Sequence, residues 1–329
     1  MSKKKQGKKG FVTTTKGLKA FISLAVIGAI VIAFGVGIGL DYANVAWNVD
    51  AYTQTVDAST KAVKENEMKV MSFNIRCYTC ELVGKHRWGL RAPLVFETIE
   101  NSMPDILGVQ ELKKKQEKHF DKYLVGYGKY APYRKSKGLS AEACGIFWKE
   151  SRFTLLDKGV FWLSETPEKE SIGWDAALER ICSWVKLKDI NEKELYVFNA
   201  HLDHLGEKAR IESLKLIQQK IDKVGDTNVI LLGDLNFPEN AAIQDVSNPY
   251  QYVTSFLDDS KYAEGVEITK ARNTFHGYEK VDKNSPPIDF ILYKPNRDLK
   301  PKVYGVIDAK IDGKFPSDHY PVQVTFEYK

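Results

Sequence analysis

The chain has 329 residues, 43% hydrophobic and 28% charged, an ordinary globular composition with room for one large domain or two small ones. Its net charge of +5 is local: residues 1–19 hold seven lysines (3, 4, 5, 8, 9, 16 and 19) and no acid, leaving 41 basic against 43 acidic residues elsewhere. That balance excludes a globular part built as a broad basic surface for tracking duplex nucleic acid.

After the basic tail, Ala20–Leu40 is uncharged for 21 residues, AFISLAVIGAIVIAFGVGIGL. As a helix it spans about 31 Å, enough for a bilayer core. Its flanking lysines lie only on the N-terminal side. The positive-inside rule therefore predicts a single-pass cell-membrane anchor, with residues 1–19 cytosolic and the rest of the chain extracellular. A cleaved signal peptide would carry a shorter apolar core of about 7–15 residues and a small-residue cleavage site. Gly35 and Gly39 form a GxxxG compatible with helix pairing. Residues 41–66 are polar and mixed and read as a juxtamembrane spacer, and residues 67–329 as a catalytic domain.

From Met68 the chain is densely patterned. Lys69–Asn74 predicts a strand, Pro93–Asn101 a short helix and Ile106–Gln110 a second strand. The segments 144–148, 158–163, 181–187 and 194–199 follow as strands. Glu207–Val224 has Ile211, Leu214, Ile217 and Ile221 on one face of an amphipathic helix. Asn228–Leu232, Ile288–Tyr293 and Tyr320–Phe326 are later strands. About ten strands with few long helices, not strictly alternating, favour two packed mixed sheets flanked by helices. Cys77-Tyr-Thr-Cys80 lacks the second pair a zinc site would want. An extracellular location permits a disulfide, but the sequence does not assign one.

Polar groups gather at the ends of these runs. Gly233-Asp234-Leu235-Asn236 closes an apolar strand with a carboxylate and an amide that can hold a water, a metal or a phosphate oxygen. Asn74, Glu111, His201, Asp289, Asp318 and His319 sit at or just after other such runs. Cleaving a phosphoester needs a cation to neutralise phosphate oxygens, an activated water and a stabilised leaving oxygen. Glu111 reads as the first ligand of a hard cation, with Asn74 either orienting it or contacting phosphate. His201 reads as a donor to the scissile phosphate, and Asp203 and His204 as structural or at the periphery of the substrate, with His204 a candidate substrate contact. A carboxylate beside His319 would fix its tautomer and raise its basicity. Arg76 and Arg180 are candidate phosphate contacts, and Trp174, in an expected loop, is the best placed tryptophan for a substrate wall.

The series Asn74, Glu111, His201, Asp234/Asn236, Asp289 and Asp318/His319, in this order over roughly residues 68–329, resembles the endonuclease/exonuclease/phosphatase (DNase I-like) superfamily. The segments 161–167, 173–177 and 180–184 resemble a bacterial branch of it. The resemblance implies a four-layer α/β/β/α sandwich and a Mg²⁺- or Mn²⁺-dependent phosphohydrolase. It implies Glu111 as main metal ligand, with Asn74 and Asp318 beside the cation, and His201 on the phosphate. Asp234 and Asn236 would orient or activate water, and Asp289 and His319 form an acid–histidine couple. Whether Asp234 or the His319–Asp289 pair takes the proton stays open, as does the choice between one metal and two. Arg272-Asn-Thr-Phe275 resembles a turn whose Thr supports the acidic loop. The resemblance implies a phosphoester substrate, either nucleic acid or a lipid or small-molecule ester, and the oligomeric state is not specified. Two further readings differ in class: a non-catalytic binding module on the same fold, and a zinc hydrolase built on His201, Asp203 and His204.

Overall fold

The computed structural model describes residues 55–59, 66–138, 141–239, 247–295 and 297–328. The basic tail, the expected membrane anchor at 20–40 and most of the spacer lie outside these residues. Among the described residues, no helix is long and apolar enough to cross a membrane.

In chain order the elements begin β1 (Val56–Asp57), β2 (Glu67–Asn74), α1 (Trp88–Ser102), β3 (Ile106–Leu112), α2 (Lys114–Tyr123), β4 (Leu124–Val125) and β5 (Tyr127–Tyr130). Then come β6 (Ala143–Lys149), β7 (Phe153–Trp162), β8 (Ile181–Asp189), β9 (Glu194–His201), α3 (Glu207–Lys223) and β10 (Asn228–Asp234). The rest are α4 (Pro249–Thr254), β11 (Asp258–Asp259), β12 (Glu267–Lys270), β13 (Asp289–Tyr293), β14 (Leu299–Val306) and β15 (Val322–Tyr328). Two mixed sheets result, ordered β12-β14-β15-β2-β3-β6-β5 and β11-β13-β10-β9-β8-β7.

Strand alternation builds the layers. In β2, Met68 and Val70 face the opposite sheet while Met71 and Phe73 face α1 and α2. In β10, Ile230 and Leu232 meet the first sheet, and Val229 and Leu231 pack under α3 and α4 with Leu214, Ile217 and Val253. The two sheets therefore share one core and each carries helices on its outer face, the layered sandwich expected. Each fully buried Leu, Ile or Phe contributes roughly 1.5–3 kcal/mol. These layers hold the strand ends against the cost of burying polar groups there.

Three departures from the sequence reading have physical causes. Helix α1 starts at Trp88, five residues before the expected Pro93, which lies inside it. The buried Arg91 guanidinium anchors that early turn by donating to the carbonyls of Ile75 at 2.7 Å and Pro316 at 2.8 Å. Helix α2 has no counterpart among the expected elements because its sequence, KKQEKHFDKY, buries only Gln116, Phe120 and Tyr123. Strand β14 was hidden by Pro301, which is tolerated because it sits at a register shift against β15.

Candidate active site

The same alternation that builds the core carries polar side chains to one end of it. Asn74 continues the inward face of Met68 and Val70, His201 that of Leu195 and Val197, Asp234 that of Ile230 and Leu232, and Asp289 that of Ile291 and Tyr293. All four are buried. Below them Gln110 and Asn199 join the two sheets through a 2.8 Å hydrogen bond.

Asp234 is the focus. Its Oδ2 accepts from the Asn74 amide at 2.9 Å, and the Nε2 atoms of His201 and His319 lie 3.6 and 3.7 Å away. Its Oδ1 accepts from the backbone of Asn236 at 3.1 Å. Asn236 is in the left-handed region (φ 51°), and its amide donates to the carbonyl of Leu202 at 3.0 Å. The preceding Gly233 has no substitute: a Cβ there would lie 1.9 Å from the Ala200 carbonyl oxygen, on a backbone with φ 148°. Burial, then the charge of Asp289, pushes the Asp234 carboxyl up to about 7.

His319 Nδ1 donates to Asp289 Oδ2 at 2.9 Å, which turns Nε2 toward Asp234. Burial alone would lower its pKa. Asp289 and Asp234 outweigh burial and lift it to about 10. The Thr274 hydroxyl accepts from the N–H groups of Ile288 and Asp289, holding the acidic strand start in place. His201 is opposite in character: burial, then Arg180 and Arg134, hold it well below its ordinary value, so it is a neutral donor.

Glu111 is out of phase with the inward face of β3. A register shift between Val109 and Leu112 and a left-handed backbone (φ 60°) swing its carboxylate into the site. There it accepts from Asn74 Nδ2 at 3.1 Å and from the Cys77 N–H at 2.8 Å. Cys77 and Cys80 are closed as a disulfide, so neither offers a thiolate to a cation. Burial would raise the Glu111 pKa, but Arg76 and the Cys77 N–H lead the groups that hold it below its usual value. Arg76 Nε is 3.3 Å from Asp318 Oδ2, and the guanidinium also donates to Glu81.

Glu111, Asp234, Asp289 and Asp318 thus bring four buried carboxylates together. Ligand atoms of Asp234, Asp289 and His319 lie within 4.8 Å of one another. The oxygen-rich donor set fits a hard divalent cation. Glu111 with Asp318 offers carboxylates not committed to the His319 proton, and a cation there would relieve the repulsion that burial aggravates.

The cavity over these groups is about 410 Å³ and is lined by Arg76, Glu111, Arg180, His201, Asp234 and His319, among others. Arg180 is buried, with Nε 3.2 Å from Asp203 Oδ2 and Nη2 3.1 Å from His204 Nδ1, while its Nη1 has no partner. Asp203 also accepts from the N–H groups of Ala177, Leu205 and Gly206, so it orients Arg180 and the following loop. His204 lines the cavity. Trp174 is not among the lining residues; its N–H donates to Glu165. Arg134 and Glu142, paired at 3.0 Å, complete the wall and carry no strand-end signal.

A family model described as the Endonuclease/Exonuclease/phosphatase family matches residues 71–319. An endonuclease/exonuclease/phosphatase family protein from Bacteroides thetaiotaomicron is 33% identical with a TM-score of 0.70, over 81% of this chain and 100% of that one. A mannosyl-6-phosphatase from the same organism is 33% identical with a TM-score of 0.68, over 79% and 100%. TDP2 from D. rerio, complexed with single strand DNA product, is 18% identical with a TM-score of 0.61, over 79% and 99%, a likeness of fold alone.

Proposed function

The chain belongs to the endonuclease/exonuclease/phosphatase family, and from that premise we propose a Mg²⁺- or Mn²⁺-dependent phosphohydrolase tethered outside the cell by residues 20–40. Its substrate is proposed to be a small phosphate ester, a phosphosugar in the first instance. The observation that carries the hydrolytic reading is the convergence of Asn74, His201 and His319 on one oxygen of Asp234. The 33% identity to a mannosyl-6-phosphatase supports the substrate class.

The cation, held by Glu111 and Asp318 with Asn74 beside them, would neutralise charge on the phosphate oxygens. Asp234 takes the proton of the attacking water. Its raised pKa makes it a base matched to neutral pH. In this reading His319 is not the base, since Asp289 and Asp234 favour its protonated form over the cost of burial. It instead offers Nε2–H to charge developing on the phosphoryl group, and as the bond from phosphorus to the ester oxygen breaks the alcohol leaves with a proton drawn from solvent water. Neutral His201 and the guanidinium of Arg180, both in the cavity lining, donate to non-bridging oxygens. Asn236 and the Gly233 backbone fix the base in place.

The test is turnover by the detergent-solubilised full chain with Mg²⁺, on mannose 6-phosphate, p-nitrophenyl phosphate, bis-p-nitrophenyl phosphate, sphingomyelin and single-stranded DNA, with Asp234→Ala as blank. Phosphomonoester turnover lost in the variant supports the reading. Cleavage of DNA alone replaces it with a nuclease, and no turnover of any substrate removes it.

A further inference from the structure

A second cavity, of about 530 Å³, lies against the catalytic one. Residues adjacent in sequence line one or the other. Tyr78 and Thr79 line the second and Cys80 the first, while Tyr133 and Lys135 line the second and Arg134 the first. Lys113 Nζ reaches across to within 3.6 Å of Glu142 Oε1 in the catalytic wall.

Its lining is rich in ammonium groups, two of which, on Lys113 and Lys135, pair with Glu142 and Glu179. Lys113, Lys114, Lys115, Lys135 and Lys137 line it against one acid, Glu170. Beyond residue 19 the chain has slightly more acids than bases, so this is a local concentration of positive potential. Helix stability does not explain it. Three of the lysines stand at the N-cap and first two positions of α2, where the macrodipole favours acids. Lys135 is fixed by Glu179 at 2.6 Å, which anchors one side of the basic wall.

Three aromatic residues, Tyr78, Tyr133 and Trp162, share the lining with Thr79, Ser136, Gly138 and Ala141. The Trp162 indole N–H donates to the Arg134 carbonyl at 2.8 Å, and the Tyr133 hydroxyl to Glu117, so both rings are held by their polar ends. Tyr78 carries the Lys115 ammonium over its ring at 5.7 Å. Fixed ring faces beside clustered ammonium groups suit a sugar or base ring bearing an anion.

We infer that this cavity is a substrate subsite for a second anionic group, a phosphate above all, on a ring-bearing skeleton whose first phosphate enters the catalytic cavity. The inference rests on the phosphoester-cleaving reading of that neighbouring cavity.

The test is calorimetric binding to the full chain in detergent with EDTA, so that turnover plays no part. The probes are glucose 1,6-bisphosphate and glucose 6-phosphate, with 5′-phosphorylated dithymidine and thymidine 5′-monophosphate as the nucleotide pair. The protein should bind the bisphosphate, the dinucleotide or both at least tenfold more tightly than the matching monophosphate, and the pair showing the preference identifies the skeleton. Exchanging the exposed lysines, Lys114→Glu with Lys137→Glu, should bring that ratio to within about twofold of unity. Equal affinities in both pairs, no binding of any probe, or a preference that survives the exchange overturns the subsite. Tyr78→Ala separates charge from ring contact: weaker binding of a doubly charged probe supports the stacked wall, and unchanged binding removes the ring from the proposal. Absence of turnover on every phosphoester, with the binding preference intact, would sink the hydrolase reading and leave the anion site standing.

Discussion

Asn74 and Asp234 end strands in opposite sheets, 160 positions apart, and are joined by a 2.9 Å hydrogen bond between their side chains. The same Asn74 amide reaches Glu111 at 3.1 Å, so one side chain links the proposed base to the proposed metal ligand.

Replacing Asp234 with alanine should lower kcat on p-nitrophenyl phosphate by 10² or more, the ordinary cost of removing an acid–base group. Steady-state kinetics with circular dichroism as a fold control make the measurement. A near-native rate would take Asp234 out of the mechanism.

Glu111→Gln keeps the hydrogen-bonding shape but removes the charge. EDTA should stop turnover by the unaltered chain, and Mg²⁺ or Mn²⁺ should restore it. The variant should need at least tenfold more Mg²⁺ for half-maximal rate. Identical Mg²⁺ titrations for the two proteins would show that Glu111 does not hold the cation.

The pH–rate profile follows from two opposed groups. Asp234, raised to about 7, acts when ionised, so the rate should climb with pH through that region. His319, raised to about 10, acts when protonated, so the rate should fall above it. A bound divalent cation shifts both limbs to lower pH. His319→Asn should remove the alkaline limb, and a limb that persists in the variant would assign it to another group.

His276 is buried beside Phe315 and Tyr320, and burial takes its pKa down to about 3. A histidine lowered in the fold favours the neutral form. It costs nothing above its ordinary value near 6.5, and stability is lost as pH falls from there toward 3. Between pH 7.5 and 5.0 the unaltered protein should lose on the order of 1 kcal/mol more than His276→Gln, allowing for solvent screening. Urea unfolding of both proteins at the two pH values measures this, and parallel losses would refute it.

The full chain should sediment with membranes, and a chain beginning at residue 55 should not, while keeping its activity. Membrane association of the shorter chain would point to a second anchor.

How legible the site was depends on strand phase. Asn74, His201, Asp234 and Asp289 end apolar alternating runs on the inward side, so pattern alone brings them to one place. Gln110 and Asn199 carried the same signal and could have been read as the inter-sheet bond they make. Glu111 could not be placed by phase, because a bulge and a left-handed backbone turn it inward. Arg134 was illegible: its buried guanidinium pairs with Glu142, across a loop, and no local pattern announces such a pairing. Trp174, chosen for lying in a loop, was expected at the substrate wall and is absent from the cavity lining. The main strands were found because they are apolar, whereas α2 is mostly charged and β14 is interrupted by proline.

A residue with no chemistry lets the two sheets approach closely beneath the chemical groups. Gly108 faces Leu232 across the sandwich, and a Cβ on it would lie 1.9 Å from a Leu232 methyl carbon. It acts as the gauge block of the seam. A single methyl group there would have to displace the buried Leu232 side chain, two residues before Asp234, or push the sheets apart.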